Sequence, residues 1–449
     1  MFKTIKNAWS IPDLRKKILF TLLIVVVFRL GAVIPVPFLN TDALEALMAN
    51  VSQGGTALSY LDMLTGGAFS NATLFAMGVS PYINSSIIMQ LLTVAIPPLE
   101  RMAKEGEEGR KKIATITRYV TVLLGLIQGT AYYFYLRNTT VAMTDGTVKT
   151  IAMYTSGWEQ VFTAIIIIMV FTAGTALMMW LGEQINDKGI GNGISILLFA
   201  GIVSRLPTTL NTLYAYWSQA MQAPSEYGQY FFFAPFFIVL FLAVIWVIVF
   251  MNNSERRIPV QYAKRVVGRK MYGGQSSTLP MKVNMSGVLP IIFAQSIAMI
   301  IPTVAAFLPA PEEGTFGYTL VNAVDSKSVL YMIVYFLMII AFSYFYATIQ
   351  FNPVEISNNL KKNGGFIPGF RPGKPTADFI KKVLNKVTLF GAIYLGIVAI
   401  LPLLIGKIVN VAALSIGGTS VIIVVGVALE TVQALESQML MRQYKGFLE

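Results

Sequence analysis

Apolar runs of about 20 residues recur along this chain from end to end, and they constrain the fold more than any other feature. A run of this length crosses the hydrocarbon core of a bilayer as an α-helix. The sequence therefore predicts an all-α integral membrane protein with ten transmembrane helices. The fifth run is the weakest, because three glycines open it. The predicted spans are 18–37, 74–96, 114–136, 159–182, 190–213, 231–251, 286–308, 329–351, 384–405 and 415–438.

The composition agrees with a chain that lies mostly in lipid. Of its 449 residues, 55% are hydrophobic and 12% are charged, which is about half the charged share of a soluble domain. Cys and His are absent, which excludes disulfides, thiolate nucleophiles, Cys/His zinc sites and imidazole bases. The sequence contains no P-loop motif and no pair of acids deep in the spans. We therefore predict no enzyme activity, no catalytic residue, no metal site and no cofactor.

The distribution of Lys and Arg predicts the orientation of the spans. The segment before the first span, every second loop and the tail together hold 26 of the 34 Lys and Arg residues, whereas the intervening loops hold only Lys149, Lys327 and Lys407. Loops rich in Lys and Arg stay in the cytoplasm, so both termini are predicted to be cytoplasmic. Residues 1–17 then form an amphipathic cytoplasmic segment, and residues 439–449 form a cytoplasmic tail.

A short repeat divides the predicted spans into two halves. Residues 78–83 (GVSPYI) open the second span, and residues 287–292 (GVLPII) open the second span of a second set of five. Because five is odd, the half 215–438 is inverted relative to the half 18–214. Inverted halves usually place the functional path between them, where the helices are irregular. Coincidence is the alternative for so short a match.

Branched apolar side chains recur at helical spacing in three spans. Val79 and Ile83 are four residues apart, Ile194 and Leu198 repeat that spacing, and Ile292 holds the place of Ile83 in the second half. Such side chains, converging from several helices, would form a hydrophobic constriction that closes by excluding water. Ordinary packing or lipid contact is the alternative interpretation.

Two further features accompany these spans. The segment 58–70, between the first and second spans, is too short to cross the membrane and too apolar for a plain loop. It predicts a re-entrant or plugging helix, or alternatively an interfacial one. Polar side chains within the second and seventh spans would hydrogen-bond across helices, either as a seam that opens or as permanent contacts. These side chains are Asn84, Gln90, Gln295 and Ser296.

Two large basic loops, 252–285 and 352–383, are predicted on the cytoplasmic side. Pro and Gly frame Arg371 within 364–373, which indicates a turn that presents an arginine. Cytoplasmic retention and contact with anionic lipids also explain the charge, but not this framing. We predict that the loops form a docking surface for a partner. Its basic residues are Arg256, Arg257, Lys264, Arg265, Arg269, Lys270, Lys361, Lys362, Arg371 and Lys374.

Several short motifs, in order along the chain, give the sequence a strong resemblance to the SecY family of protein-translocation channel subunits, which includes Sec61-alpha. The resemblance extends from about residue 9 to residue 440, and the pair 180–184 (WLGEQ) and 189–195 (GIGNGIS) is its most specific part. The other motifs are 29–37 (RLGAVIPVP), 78–83, 87–92 (IIMQLL), 104–107 (KEGE), 262–265 (YAKR), 280–284 (PMKVN), 358–362 (NNLKK), 368–373 (PGFRPG) and 417–420 (GGTS).

The resemblance implies two inverted five-helix halves around a central pore in the bacterial cytoplasmic membrane. Unfolded secretory polypeptides would cross through the pore, and transmembrane segments would leave sideways between the second and seventh spans, where signal sequences insert. SecE and SecG would be partner subunits, and the SecA ATPase or the ribosome would dock on the basic loops. The implied pore ring is Val79, Ile83, Ile194, Leu198, Ile292 and Ile423; the implied plug includes Leu58, Tyr60, Leu61, Met63, Leu64, Gly66, Gly67 and Phe69.

Two other classes of protein compete with this interpretation. A secondary transporter shares inverted repeats and broken helices, but it needs a compact site of ion-coordinating acids or amides at mid-membrane. An intramembrane enzyme without His or Cys needs a buried acid pair or a Ser–Lys dyad, and Lys is absent from the span centres. The resemblance and the apolar ring both favour a channel over these alternatives.

Overall fold

The computed structural model of the chain consists largely of helices. It describes residues 2–44, 46–47, 57–142, 148–154, 156–222, 229–262, 265–267, 270–272, 276–285, 287–307, 315, 323, 328–409 and 417–445. Each of the ten predicted spans coincides with one helix or with two consecutive helices. We number these spans one to ten in chain order.

The spans have the following bounds: Pro12–Gly31, Ser80–Ala95, Glu107–Asn138, Gly157–Lys188, Gly193–Ser204 continued by Leu206–Gln222, Gln229–Asn253, Leu289–Ala298 continued by Ile300–Phe307, Val329–Gln350, Lys374–Val409 and Gly417–Lys445. Four shorter helices are Phe2–Ser10, Ala57–Thr65, Pro97–Lys104 and Pro353–Lys362. Span one ends six residues before its predicted end at 37, because Pro35 and Pro37 cannot continue the helix.

Length and composition alone support fewer spans than ten. Within the described residues, seven helices are long and apolar enough to cross a membrane, and an eighth counts if span two and Pro97–Lys104 form one span bent by 101°. Span one contains several charged residues, among them Arg15 and Arg29. Span seven is interrupted at Met299, which leaves two short pieces. These two spans are therefore recognised by their place in the fold and not by their hydropathy.

The repeated motif has the same backbone conformation in both halves. Gly78 and Gly287 have φ angles of +54° and +65°, in the left-handed region that glycine adopts without strain. Val79 and Val288 follow with helical dihedrals, and each helix then begins with a proline in its first turn. The two hexapeptides are thus alike in structure as well as in sequence.

A buried apolar cluster joins spans of both halves and forms the centre of the molecule. Its members include Phe28 of span one, Met178 of span four, Tyr335 of span eight and Leu395 of span nine. A second cluster, around Tyr132 of span three, lies to one side. Glycines let neighbouring spans approach closely, as membrane helices commonly require. An added Cβ at position 125 of span three, for example, would lie 3.1 Å from a side-chain atom of span four.

The two basic loops fold together into one unit outside the spans. Strand β3 (Glu255–Tyr262) pairs antiparallel with both β6 (Ser276–Lys282) and β7 (Gly365–Phe366), so that both loops contribute to a three-stranded sheet. Ile258, Met281, Ile367, Ile380 and Leu384 form a small apolar core beneath it. The sequence analysis treated the two loops as separate, and the structure shows that they share a core.

Short hairpins complete the fold. Strands β1 (Thr140–Ala142) and β2 (Val148–Thr150) pair between spans three and four. Strands β4 (Arg265–Val267) and β5 (Lys270–Tyr272) pair at the far end of the loop 252–285. The helix Phe2–Ser10 packs against span ten, where Thr4 donates a hydrogen bond of 3.0 Å to Glu436. The N-terminal segment is therefore attached to the last span.

Candidate pore and gate

The residues predicted to form the pore ring come together in the central cluster. Val79, Ile83, Leu198, Ile292 and Ile423 are between 1% and 6% exposed, and all five belong to that cluster. They come from spans two, five, seven and ten, and thus from both halves. A constriction made of these side chains presents only branched hydrocarbon, which neither hydrates ions nor recognises a particular peptide sequence.

Ile194 holds a more peripheral place than the other five. Its side chain is partly buried and packs against the edge of the cluster. Gly182 of span four makes room for it, since an added Cβ at 182 would lie 2.5 Å from Ile194 Cδ1. Asn192 caps the start of this helix by accepting hydrogen bonds from the backbone N–H groups of Ile194 and Ser195. The GIGNGIS motif thus gives span five a defined start beside the ring.

The segment between spans one and two packs directly onto span five. We call residues 57–70 the connecting segment; it begins with the helix Ala57–Thr65, and the side chains of Leu58 and Tyr60 lie outside the described residues. Leu64 belongs to the central cluster. Its carbonyl oxygen would lie 2.5 Å from a Cβ added at Gly201, three residues after Leu198. The connecting segment therefore lies one helical turn from the ring.

Two arginines hold the end of the connecting segment. Arg29 of span one donates a hydrogen bond of 3.2 Å to the carbonyl oxygen of Gly66. Arg205, at the break in span five, forms an ion pair with Asp62. Gly66 follows the last turn of the helix Ala57–Thr65, and the C-terminal end of a helix favours nearby cations. The arginines thus bind the part of the segment that carries partial negative charge.

Asp62 is buried and has more than one partner. Its Oδ1 accepts the backbone N–H of Ser70 at 2.7 Å, while its Oδ2 pairs with Arg205. Arg205 also donates to the Ser70 hydroxyl at 3.4 Å. An ion pair in a poorly solvated place is retained only when further hydrogen bonds satisfy its lone pairs. Residues 62–70 and span five therefore form a single polar cluster.

Other spans also contact the connecting segment. Tyr132 of span three donates a hydrogen bond of 2.7 Å to the carbonyl oxygen of Phe69. Ser420 of span ten donates to the sulfur of Met63 at 3.6 Å, which is a weak contact with the second half. Leu61 and Phe69 pack against or within the second cluster. The segment is therefore bound strongly to the first half and weakly to the second.

The predicted seam between spans two and seven differs in detail from the prediction. Gln90 accepts a hydrogen bond from the hydroxyl of Tyr346 in span eight, and this bond joins the two halves. Gln295 donates a bond of 3.3 Å to the hydroxyl of Tyr331, within the second half. Asn84 and Ser296 line one cavity of about 180 Å³, which the connecting segment also borders. The polar contact across the seam therefore runs from span two to span eight.

The basic loops present several of the predicted docking residues at the surface. Arg256 and Arg257 are exposed on β3, and Lys361 and Lys362 end the helix Pro353–Lys362. Arg265 and Lys270 lie on β4 and β5, where only the backbone is described, and Lys264 and Arg269 lie outside the described residues. Lys374 begins the helix of span nine and is exposed.

The turn that carries Arg371 is firmly held. Gly369 and Gly373 have φ angles of +88° and +105°, which explains the glycines on either side of the exposed arginine. The carbonyl oxygen of Arg371 accepts a hydrogen bond of 2.8 Å from Thr376, and that of Gly373 accepts one of 2.7 Å from Ser357. The guanidinium group is thus free to meet a partner while its backbone is fixed.

Comparison with known sequences identifies the family. The sequence model of the SecY family matches residues 73–432. A "Protein translocase subunit SecY" from Halalkalibacterium halodurans is 43% identical over the full length of both chains, and one from Streptomyces scabiei is 41% identical over the same extent. One from Mycobacterium tuberculosis is 42% identical over 97% of both chains. The chain belongs to the SecY family.

Solved structures show that the fold extends beyond the close relatives of this SecY family member. A structure described as that of a protein conducting channel has a TM-score of 0.59 at 17% identity, covering 95% of this chain and 92% of the other. Sec61 from a canine ribosome–channel complex of the endoplasmic reticulum has a TM-score of 0.56 at 16% identity, with the same coverage. At these identities the likeness concerns the arrangement of the helices.

Some residues of the site carried little signal in the sequence of this SecY family member. Arg205 and Asp62 are separated by 143 positions, and neither belongs to a quoted motif. A lone arginine at the edge of an apolar run was the available sign, because such a charge needs a partner. Tyr346 gave no sign at all, since one tyrosine among several in span eight looks like an ordinary aromatic side chain.

Proposed function

We propose that this member of the SecY family forms the channel through which unfolded secretory polypeptides cross the bacterial cytoplasmic membrane. Members of the family are channel subunits and not catalysts, so the chain is not an enzyme. The observation that carries the proposal is the convergence of Val79, Ile83, Leu198, Ile292 and Ile423, from two spans of each half, with the connecting segment packed beside them.

The apolar ring would seal the idle pore. A narrow passage lined by hydrocarbon holds no stable water, and ions that would have to shed their hydration do not pass. The same ring offers a translocating peptide no hydrogen-bonding or charged group, so it does not select among sequences. Branched side chains can move apart around an extended chain and close again behind it. The seal and the lack of sequence preference thus have one physical origin.

The connecting segment would act as the plug of the closed channel. The packing of Leu64 beside span five and the hold of Arg29 and Arg205 on Gly66 and Asp62 support this role. A structural study of a relative states that the plug domain of SecY stabilises the closed state and maintains a membrane seal. Opening would require Asp62 to leave Arg205, which calls for the binding energy of an incoming polypeptide.

Spans two and seven would form the lateral gate. The cavity lined by Asn84 and Ser296 lies between them and provides a start for separation. The bond between Gln90 and Tyr346 joins two neutral groups, and such a bond contributes only about 1 kcal/mol net. A signal sequence or an apolar span that partitions into lipid gains more than this on leaving water. Sideways release is therefore affordable without nucleotide hydrolysis by this chain.

Partners would supply the work and complete the complex. The exposed cations of the loops 252–285 and 352–383 form one surface on a shared sheet, which suits docking of the SecA ATPase or of the ribosome. Related channels from dog and yeast have been described in complex with ribosomes. SecE and SecG are the expected partner subunits, and anionic lipids would contact the same basic side as both cytoplasmic termini.

Cross-linking to a stalled precursor tests the channel directly, because the chain has no cysteine of its own. Single cysteines replace Ile83 or Ile292, and a secretory precursor with one cysteine is arrested during export. The matched control places cysteine at Leu242 in span six, which is 59% exposed on the outer surface.

We expect disulfides between the precursor and each ring position, and none with the control. A properly engaged precursor that forms no disulfide at either ring position would show that these residues are ordinary packing. In that case, uptake of a small solute driven by an ion gradient would favour the transporter alternative.

A further inference from the structure

Glu430 is an acid in span ten for which the sequence suggests no partner. The structure places its carboxylate at the start of span seven, where it accepts a hydrogen bond from the backbone N–H of Val288. An added Cβ at Gly287 would lie 2.6 Å from Glu430 Oε1, so the carboxylate also packs on the glycine of the repeated motif. Span seven thus begins on a side chain that belongs to another span.

The start of span seven needs an acceptor from elsewhere. The first N–H groups of a helix lack partners within it, and Pro290 has no N–H to contribute. Val288 stands at the N-cap position, and among the described residues of this helix start its side chain makes no capping bond. A carboxylate is the best acceptor for this place, because the positive end of the helix dipole points at it.

A second contact binds the same two spans. Gly426 lies one turn before Glu430, and an added Cβ at 426 would overlap with the side chain of Val288. The pair therefore interlocks a valine of span seven with a gap on span ten. Lys282 reinforces the contact from the loop side by donating a hydrogen bond of 3.0 Å to Gln433. Span seven is held to span ten over two successive turns of span ten.

The contact lies next to the proposed pore and gate. Glu430, Gly287 and Val288 border a cavity of about 490 Å³ together with Asn192 at the start of span five. Ile292 follows Val288 by one turn in span seven, and Gln295 and Ser296 follow Ile292 by another. A group that fixes the first turn of span seven therefore determines where its ring and gate residues lie.

We propose that Glu430 is a positioning residue that fixes the beginning of span seven to span ten. When spans two and seven part, span seven then turns about this fixed end and does not slide as a whole. The ring residue near the fixed end stays close to span ten, while the far end of span seven moves away from span two. The inference rests on the proposed channel function and adds to it the pivot of the gate helix.

The experiment compares three chains that differ in one acid. Glu430→Ala removes the acceptor, and Glu430→Gln keeps an oxygen that can accept from Val288 but removes the charge. Glu436→Ala is the matched control, since Glu436 lies on the same span and bonds to Thr4 instead of span seven. Each change is made in a chain with cysteines at Asn84 and Ser296, which line one cavity across the gate.

Two quantities are measured per inserted molecule: the fraction joined across the closed gate by a short bifunctional thiol reagent, and the export of a precursor with a defective signal sequence. We expect Glu430→Ala to lower the cross-linked fraction and to raise export of the defective precursor, by on the order of ten-fold. Glu430→Gln is expected to fall between Glu430→Ala and the parent chain. A residue that only stabilised the fold would change the amount of inserted protein and leave both quantities unchanged.

The proposal is overturned if Glu430→Ala matches Glu436→Ala in both quantities at equal amounts of inserted protein. If Glu430→Ala fails to insert, Glu430→Gln and Glu430→Asp carry the same comparison, and parent-like values for both of them overturn it. The cross-linked fraction is read without any precursor, so it tests the pivot even if the channel function fails. That failure would show separately, as absent export of a normal precursor by the parent chain.

Discussion

The same motif opens span two and span seven, but its surroundings differ between the two halves. In the first half, an added Cβ at Gly78 would lie 2.7 Å from the side chain of Thr65, at the end of the connecting segment. In the second half, the matching glycine packs on Glu430 of span ten. One helix start is thus covered by a short segment that has room to leave, and the other by a side chain on a membrane span.

This difference gives the two halves different tasks. The start of span two is released whenever the connecting segment leaves its place, because Thr65 leaves with it. The start of span seven keeps its neighbour as long as spans seven and ten stay in contact. Two copies of one motif, inverted in the fold, can therefore serve as a moving contact and a fixed one. The following predictions test this asymmetry in order of expected effect.

The largest effect is expected from Asp62→Ala, which leaves Arg205 without its carboxylate. Loss of one partner from a buried pair is costly, and we expect the closed position of the connecting segment to lose about 2–4 kcal/mol, somewhat below the fully buried case because Arg205 keeps some exposure. Ion conductance of the idle channel in a planar bilayer measures this loss as a leak.

Two further variants make this measurement specific. Asp187→Ala changes an exposed acid at the end of span four and should not leak. The double variant Asp62→Ala with Arg205→Gln should leak less than Asp62→Ala alone, since no unpaired charge remains. Equal leaks from the single and double variants would contradict the role of the ion pair.

Gly201→Ala should push the connecting segment away from span five. Its new Cβ would meet the carbonyl oxygen of Leu64 at 2.5 Å, and a backbone oxygen cannot rotate away as a side chain does. Overpacking of this kind costs about 1–3 kcal/mol. We expect a smaller leak than for Asp62→Ala in the same bilayer assay. A channel as tight as the parent would show that the segment shifts without opening the seal.

Tyr346→Phe removes the hydroxyl that joins span eight to Gln90 of span two. A neutral hydrogen bond contributes about 0.5–1.5 kcal/mol net, so the gate should open slightly more often. The cross-linked fraction between cysteines at Asn84 and Ser296 measures this change. Tyr344→Phe is the control, because its hydroxyl bonds within the second half, to Asn385. Equal fractions in the two variants would place the seam elsewhere.

The smallest effect on the closed channel is expected from Arg371→Glu. The side chain is exposed, and surface changes usually alter stability by no more than about 0.5 kcal/mol. Export driven by SecA should nevertheless fall well below that of the parent, because the docking surface gains the wrong charge. Lys382→Glu, an exposed change nearby on span nine, is the control. Equal losses of inserted protein and of export would mean that Arg371 serves folding and not docking.

Much of the helical framework was predictable, because it follows from local sequence. Hydropathy located all ten helical regions, and the repeat located the two matching helix starts. The helix within 58–70 was expected from an apolar stretch too short to span. The ends were less predictable: span nine begins ten residues before its expected start at 384, since the polar turns of Lys374–Val409 lie outside the apolar run.

The contacts between distant segments were not predictable from one sequence. Asp62 and Arg205 are each common residues, and nothing local says that they meet. Glu430 was noticed only because it is an acid in an apolar run, while its partner is a backbone N–H that leaves no trace in the sequence. Gln90 and Gln295 were correctly seen as polar groups in the two spans, but the pattern could not reveal that each bonds to a tyrosine of span eight.

The sheet shared by the two basic loops has a mechanical consequence. Strand β3 follows directly on span six, β6 leads into span seven, and β7 lies between spans eight and nine. A load applied at the turn of Arg371 therefore reaches four membrane helices at once through backbone hydrogen bonds and the core around Met281. The sheet works as a yoke, so that a partner pressing on one loop tilts this whole side of the channel as a unit.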